Sequence, residues 1–255
     1  MVLNELVSYF NSILQPELYS RDPSLNGLQI TNSAPDSKQI TKVAFATDAC
    51  EVTALMAAEN GAQFLFTHHG LFWGRCQCIT GSHYQRIKAF IQNDLALYAS
   101  HIPLDANHEV GNNFGMAMRL GLKNIMPFGF WHGMELGAVG ELDEEISVEE
   151  LSEKMFPDEK KILRIYPFGK QRVKRVAVIS GGAAEDADQA LAAGADCFIT
   201  GEVQHEDFHV IKELGITVIE GGHYQTETVG VQLMAKKLEN DTGLQTVFID
   251  FNTGL

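Results

Sequence analysis

The run Phe64-Leu65-Phe66-Thr67-His68-His69-Gly70 is apolar and strand-like, and it ends in two adjacent imidazoles and a glycine. Imidazole ligates transition ions, so paired histidines at the end of a strand read as a metal site. Two further strand-like runs end the same way. Ala96-Leu97-Tyr98-Ala99-Ser100 leads into His101, with Asp105 four residues on, and Thr217-Val218-Ile219-Glu220 leads through Gly221-Gly222 into His223, with Glu227 four residues on. Four residues make about one helical turn, so His223 and Glu227 can face one ion from the first turn of a helix. Pro103 argues against so simple a helix after His101, and Asp105 is expected on a turn. Adjacent residues leaving a strand diverge, so His68 and His69 are hard to aim at one ion but can serve two, with Asp105 and Glu227 completing or bridging the pair. A mixed imidazole and carboxylate set suits zinc, iron or manganese better than magnesium or calcium.

The elements that must position these residues recur. Val43-Ala44-Phe45 returns 133 positions later as Val176-Ala177-Val178, Ala57 as Ala190, Gly61-Ala62 as Gly194-Ala195 and Thr67 as Thr200, which reads as an internal duplication. The first copy alternates strand Val43 to Ala46, helix Glu51 to Asn60, strand Phe64 to Thr67, helix Ser82 to Asn93 and strand Leu95 to Ala99. The second repeats the order with Val173 to Ile179, Glu185 to Ala193, Cys197 to Thr200, Glu206 to Leu214 and Thr217 to Glu220. Such alternation predicts an α/β fold with largely parallel sheets, in which ligands collect at the carboxyl ends of the strands. His68, His69, His101 and His223 all fall at such ends. Leu3, Leu6, Val7, Phe10, Ile13 and Leu14 predict an opening amphipathic helix that stops before Pro16. Between the copies, Ser147-Val148-Glu149-Glu150 marks a helix start and Ile162 to Tyr166 a strand.

Bulk properties narrow the classes. The chain has 255 residues, with 19 basic and 33 acidic side chains and a net charge of -14, which argues against nucleic acid as a partner. No apolar run approaches a membrane span and the first residues lack the pattern of a secretion signal, so a cytoplasmic location is expected. Cys50, Cys76, Cys78 and Cys197 form no CxxC pair and read as reduced structural thiols. His205 and His209 follow Glu202 at the opening of a helix, where His205 keeps a substrate or proton-shuttle role and His209 a packing or surface one. His83, His108 and His132 have no partner pattern. Trp73 is expected to pack beneath its loop, with stacking on a planar substrate as the alternative. Ser180-Gly181-Gly182-Ala183 reads as a tight strand-to-helix turn rather than a phosphate cradle.

Taken in order, Asn26-Gly27-Leu28-Gln29-Ile30, Thr67-His68-His69-Gly70, His101-Ile102-Pro103-Leu104-Asp105, Thr200-Gly201-Glu202 and Gly221-Gly222-His223-Tyr224-Gln225-Thr226-Glu227 resemble the NIF-three-like proteins, named GTP cyclohydrolase 1 type 2 homologues. The resemblance covers nearly the whole chain. It implies a two-lobed α/β unit with a dinuclear metal centre between the lobes, and a homohexameric toroid with sites facing its interior. The lobes are expected at 1–126 with 224–255, and at 127–223. The metal ligands implied are His68, His69, Asp105, His223 and Glu227, with His101 moved to a neighbouring position. A centre of this type fits metal-assisted hydrolysis of a small nucleotide-like or cyclic amide substrate, with Glu202, His101 and His205 available for proton transfer. The nucleotide comes only from the family's name. A non-catalytic metal carrier, insertase or regulatory scaffold would use the same ligands.

Overall fold

The computed structural model describes residues 1–156 and 162–255. In chain order the elements are α1 (Leu3–Leu14), β1 (Gly27–Ile30), β2 (Lys42–Asp48), α2 (Glu51–Glu59), β3 (Phe64–His69), α3 (Gly81–Gln92), β4 (Ala96–Ala99), α4 (Ile102–Asp105) and α5 (Asn112–Arg119). They continue with β5 (Lys123–Trp131), β6 (Met134–Ser147), α6 (Val148–Met155), β7 (Arg164–Pro167), β8 (Arg172–Val178), α7 (Ala187–Ala192), β9 (Cys197–Thr200), α8 (Asp207–Leu214), β10 (Thr217–Glu220), α9 (His223–Thr242) and β11 (Gln245–Phe248). The chain divides into two compact lobes, 1–104 with 231–251 and 105–230 with 252–255. These divisions differ from the sequence-derived ones at 126/127 and 223/224, because α5 belongs to the second lobe and the chain changes lobe inside α9.

The first lobe carries a sheet in the order β1-β4-β3-β2-β11, parallel except for β1 against β4. Alternation along the strands gives each face its own core. On one face Phe45, Phe64, Phe66 and Tyr98 surround Phe10 of α1, with ring centroids 4.9 to 6.3 Å from it. On the other, Ala44, Ala46, Leu65 and Leu97 meet Ala54, Ala57, Ile87 and Phe90 of α2 and α3. His68 therefore leaves β3 on the aromatic face and His69 on the alanine-rich one. Asp48 lies opposite His69 in the β2–β3 register.

The second lobe carries the order β5-β6-β8-β9-β10-β7, in which only β8, β9 and β10 run parallel. The expectation of largely parallel sheets thus holds in the first lobe and fails in the second. The cause is local: His132 and Gly133, at φ of 50° and 78°, make a two-residue hairpin turn that joins β5 to β6, and β6 continues antiparallel to β8. A β-α-β-α-β arrangement with adjacent parallel strands nonetheless occurs in both lobes, β2 to β4 and β8 to β10. Gly61 after α2 and Gly194 after α7 take the same left-handed φ, 74° and 78°, and Ala57 and Ala190 are fully buried.

Candidate metal centre

Three imidazoles gather in the first lobe at the carboxyl ends of β3 and β4. Each is fixed through Nδ1. His68, fully buried, donates to the Ser100 carbonyl at 3.0 Å, His69 to Oδ1 of Asp48 at 2.8 Å, and His101 to Oδ1 of Asp22 at 3.0 Å. Carbonyls and carboxylates only accept, so Nδ1 carries the proton and the lone pair of each neutral ring sits on Nε2. Oxygen on one nitrogen and a lone pair on the other is the arrangement that orients histidine ligands around metals. One possible ligand atom from each ring lies within 4.8 Å of those of the other two. The expected divergence of His68 and His69 is therefore overcome at the strand end, where their ring centroids are 4.5 Å apart.

The support under these rings is polar and buried. The Asp22 side chain is wholly inside and accepts from the backbone N–H groups of Ser24 and Ile102 and from Nδ2 of Asn26, besides His101. Burial works against its charge, yet the hydrogen bonds from His101, Asn26 and Ser24 outweigh it and hold the carboxyl below its ordinary range. Asn26 also accepts from the N–H of His101 at 2.7 Å. Gly70 lets the chain pass close: a Cβ there would sit 2.3 Å from Nε2 of Gln29, whose Oε1 accepts from Leu71 N–H. Trp73 donates Nε1–H to the Gly70 carbonyl, and its ring lies 5.0 Å from His101 and 5.9 Å from His69. It packs against the imidazoles themselves.

The second lobe gathers Asp105, His223, Glu227 and Glu202. Asp105 closes α4, a single helical turn that tolerates Pro103 because proline near a helix start has no partner to lose; the turn expected there is helical. Its Oδ1 accepts from Nδ2 of Asn112 at 2.8 Å and from Oγ of Ser180 at 3.0 Å. His223 opens α9 as expected, with Nε2 3.1 Å from Oε1 of Glu227 one turn on. Its Nδ1 donates to Oε1 of Glu202 at 2.7 Å. Burial opposes a charge on His223, but Glu227 and Glu202 outweigh it and push the pKa up to about 9. Gly181, at φ 68°, packs onto this pair: a Cβ there would lie 2.5 Å from Oε1 of Glu227. The Ser180-Gly181-Gly182 segment is thus a tight turn built against the helix start.

This donor set fits a divalent cation. Asp105 and Glu227 are 7% and 3% exposed, and their oxygens come within 4.8 Å of each other. Two buried carboxylates at that spacing repel unless a positive charge lies with them. The remaining residues singled out in the sequence fall outside the clusters. His205 is exposed on the turn before α8, His209 is exposed on α8, His108 stacks on Phe114, and His83 meets the edge of Phe72. Cys50, Cys76, Cys78 and Cys197 are free thiols. Among the described residues no helix is long and apolar enough to cross a membrane. Sequence reasoning missed Asp22 and Asp48. Asp48 is 21 residues from His69 and becomes its neighbour only through strand pairing, whereas Asp22 is four residues before Asn26 of the Asn-Gly-Leu-Gln-Ile motif.

Fold and site together define a two-sheet α/β protein with histidine and carboxylate clusters of metal-ligand type. The chain belongs to the Duf34/NIF3 (NGG1p interacting factor 3) family, whose model matches residues 1–254. It is 42% identical over 289 residues to the GTP cyclohydrolase 1 type 2 homolog of Treponema pallidum, with 100% of both chains covered. The protein of the same name from Deinococcus radiodurans is 42% identical over 252 residues, covering 99% of this chain and 94% of the relative. Among solved structures, TTHA1606 from Thermus thermophilus matches with a TM-score of 0.89 and 37% identity over 100% of both chains. Reduced HcgD from Methanocaldococcus jannaschii matches at 0.82 and 27%, over 98% of each.

Proposed function

We propose that this protein holds two divalent ions, of zinc, iron or manganese, on His68, His69, Asp105, His223 and Glu227, and hydrolyses a small nucleotide-like or cyclic amide substrate. The observation that carries the metal is the pair of buried carboxylates, Asp105 and Glu227, beside an imidazole. The family resemblance makes the two clusters parts of one dinuclear centre shared by the lobes, and adds assembly into a homohexamer. The recurring β-α-β-α-β unit fits an internal duplication.

Bound ions of this kind polarise a scissile bond and lower the pKa of water to about 7. The chain's own residues hold and protonate. Asp22, Asp48 and the Ser100 carbonyl fix the imidazole tautomers, and Glu202 fixes that of His223. Glu202 also lines a cavity of about 140 Å³ with Gly182, Ala184, Glu185, Gln204 and Glu206, so its carboxylate can exchange a proton with a molecule there. His205, three residues on and exposed, is the alternative proton carrier. The acidic lining offers polyphosphate nothing, which leaves anion attraction to the ions.

Elemental analysis of gently purified protein is expected to give close to two ions per chain, and His68→Ala or Glu227→Ala to lower that content in a folded protein. A reproducible stoichiometry of one or less under metal-replete conditions would remove the dinuclear centre. Screening against hydrolysable nucleotides and cyclic amides then tests turnover. Glu202→Gln should lower kcat by roughly 10²–10⁴-fold with metal retained, and Glu202→Gln and His205→Ala both at full activity would end the proton-transfer assignment. If no substrate turns over, yet the ions pass to an apo-metalloprotein faster than free metal does, the protein is a carrier.

A further inference from the structure

We propose that Cys76 and Cys78 form a dithiol site that exchanges with a small anionic disulfide of the glutathione type and closes reversibly into an intraloop disulfide. The four cysteines of the chain divide by environment. Cys197 is fully buried on β9, where burial pushes its thiol well above the ordinary range. Cys50 is bound into the start of α2, its Sγ accepting from the N–H of Thr53 at 3.5 Å. The reading as structural thiols holds for these two. Cysteine is among the most buried residue types, yet Cys76 and Cys78 are both exposed, in a stretch from Gly74 to Ser82 that is exposed throughout. The chain is tied down before this stretch, where the Leu25 N–H meets the Phe72 carbonyl at 3.0 Å, and after it by α3. Gly74 and Gly81, at φ of 67° and 55°, bound the free segment with backbone that bends easily.

Residues two apart have Cα atoms about 5–7 Å from each other, depending on how far the backbone bends, and the lower part of that range is disulfide spacing. A bond in so small a ring is strained and exposed, so it exchanges readily in both directions. The charge around it selects the reagent. The chain has 33 acidic residues, yet from Asn60 to Asn93 it carries none, and Arg75, Arg86 and Lys88 fall in that stretch. The start of α3 follows Cys78 closely, with no side-chain cap from Thr80 and no acidic residue in its first turn. Arg75 and these free N–H groups attract the carboxylates of oxidised glutathione. One cysteine thiolate attacks a sulfur of that disulfide, its S–S bond breaks and one glutathione thiolate leaves. The second cysteine thiolate attacks the protein-bound sulfur of the mixed disulfide and expels the other. The two protons given up by the cysteines end on two glutathione thiols, and the pair is oxidised by the two electrons that reduce the reagent.

Reduced protein equilibrated with one equivalent of oxidised glutathione is expected to lose two hydrogens in intact mass. After unfolding it should retain two of its four alkylatable thiols, and dithiothreitol should restore all four. Peptide mapping should place the bond between Cys76 and Cys78. Cys76→Ser and Cys78→Ser should each stop with one glutathionyl group attached, because the thiol that would expel it is missing, whereas the wild type should carry none. Arg75→Glu should slow the reaction with oxidised glutathione several-fold at low salt and leave that with uncharged hydroxyethyl disulfide nearly unchanged. A wild type that accumulates the mixed disulfide, or that joins either cysteine to a second chain on a non-reducing gel, would overturn the intraloop bond. Equal slowing of both reagents by Arg75→Glu would overturn the preference for an anion.

Discussion

Asp186 shows how one side chain in this protein can work against the fold. It lies just before α7, where burial first and the neighbouring Glu185 second push its carboxyl up to about 6 from an ordinary 3.8, against the hydrogen bond it accepts from Gln189. A carboxyl whose folded pKa is raised favours the folded state only while protonated. The contribution is complete below about pH 4 and is lost as pH rises through 6. Asp186→Asn is therefore expected to stabilise the protein by about 1 kcal/mol at pH 8, a figure reduced for solvent screening, and to leave it unchanged at about pH 3.5. Urea unfolding at the two pH values measures this, and an equal effect at both would show the ionisation to be irrelevant. Asp22 behaves oppositely: its carboxyl is held below 3.8, so the stability it provides is present above that pH and disappears only as acid protonates it in the fold.

At the scale of elements, α1 is held by Phe10, which is fully buried among Phe45, Phe64, Phe66 and Tyr98. Phe10→Ala should cost roughly 3–5 kcal/mol, because four rings converge on that position and no neighbour can fill it. Denaturant unfolding gives the number, and a loss under about 1 kcal/mol would mean that the aromatic face repacks. Much of this layer was legible. Helical period marked α1 to its last residue, a short apolar run marked β2, and apolar runs bounded by glycine or asparagine marked β3, β4, β9 and β10. The His223 and Glu227 pair was readable because it is local to one helical turn. What was hidden depends on pairing between distant segments. The hairpin of β5 and β6 turns on His132-Gly133, a signal weaker than Asn-Gly, and β1 and β11 are four-residue strands identified only by their neighbours. The convergence of His68 and His69 was hidden for a different reason. Alternation places their Cα–Cβ bonds on opposite faces, and the bonds to Ser100 and Asp48 hold the rings where they come together.

For the molecule as a whole, a net charge of -14 disfavours self-association at low salt, so a homohexamer requires contacts strong enough to overcome that repulsion. Light scattering is expected to give six times the 28.1 kDa of one chain. A monomer across a range of concentrations would remove the assembly. The placement of β11 has a consequence for synthesis. The strand pairs with β2, yet Gln245 to Phe248 are made only after every strand of the second lobe. Until they emerge, one edge of β2, whose residues Val43 to Thr47 are all buried in the finished sheet, stays open to pairing with any other extended chain. The second lobe has its strands β5 to β10 complete well before that moment. The sheet that begins first in the sequence is therefore completed second, and throughout that interval the open edge of β2 is a place where a nascent chain can pair wrongly.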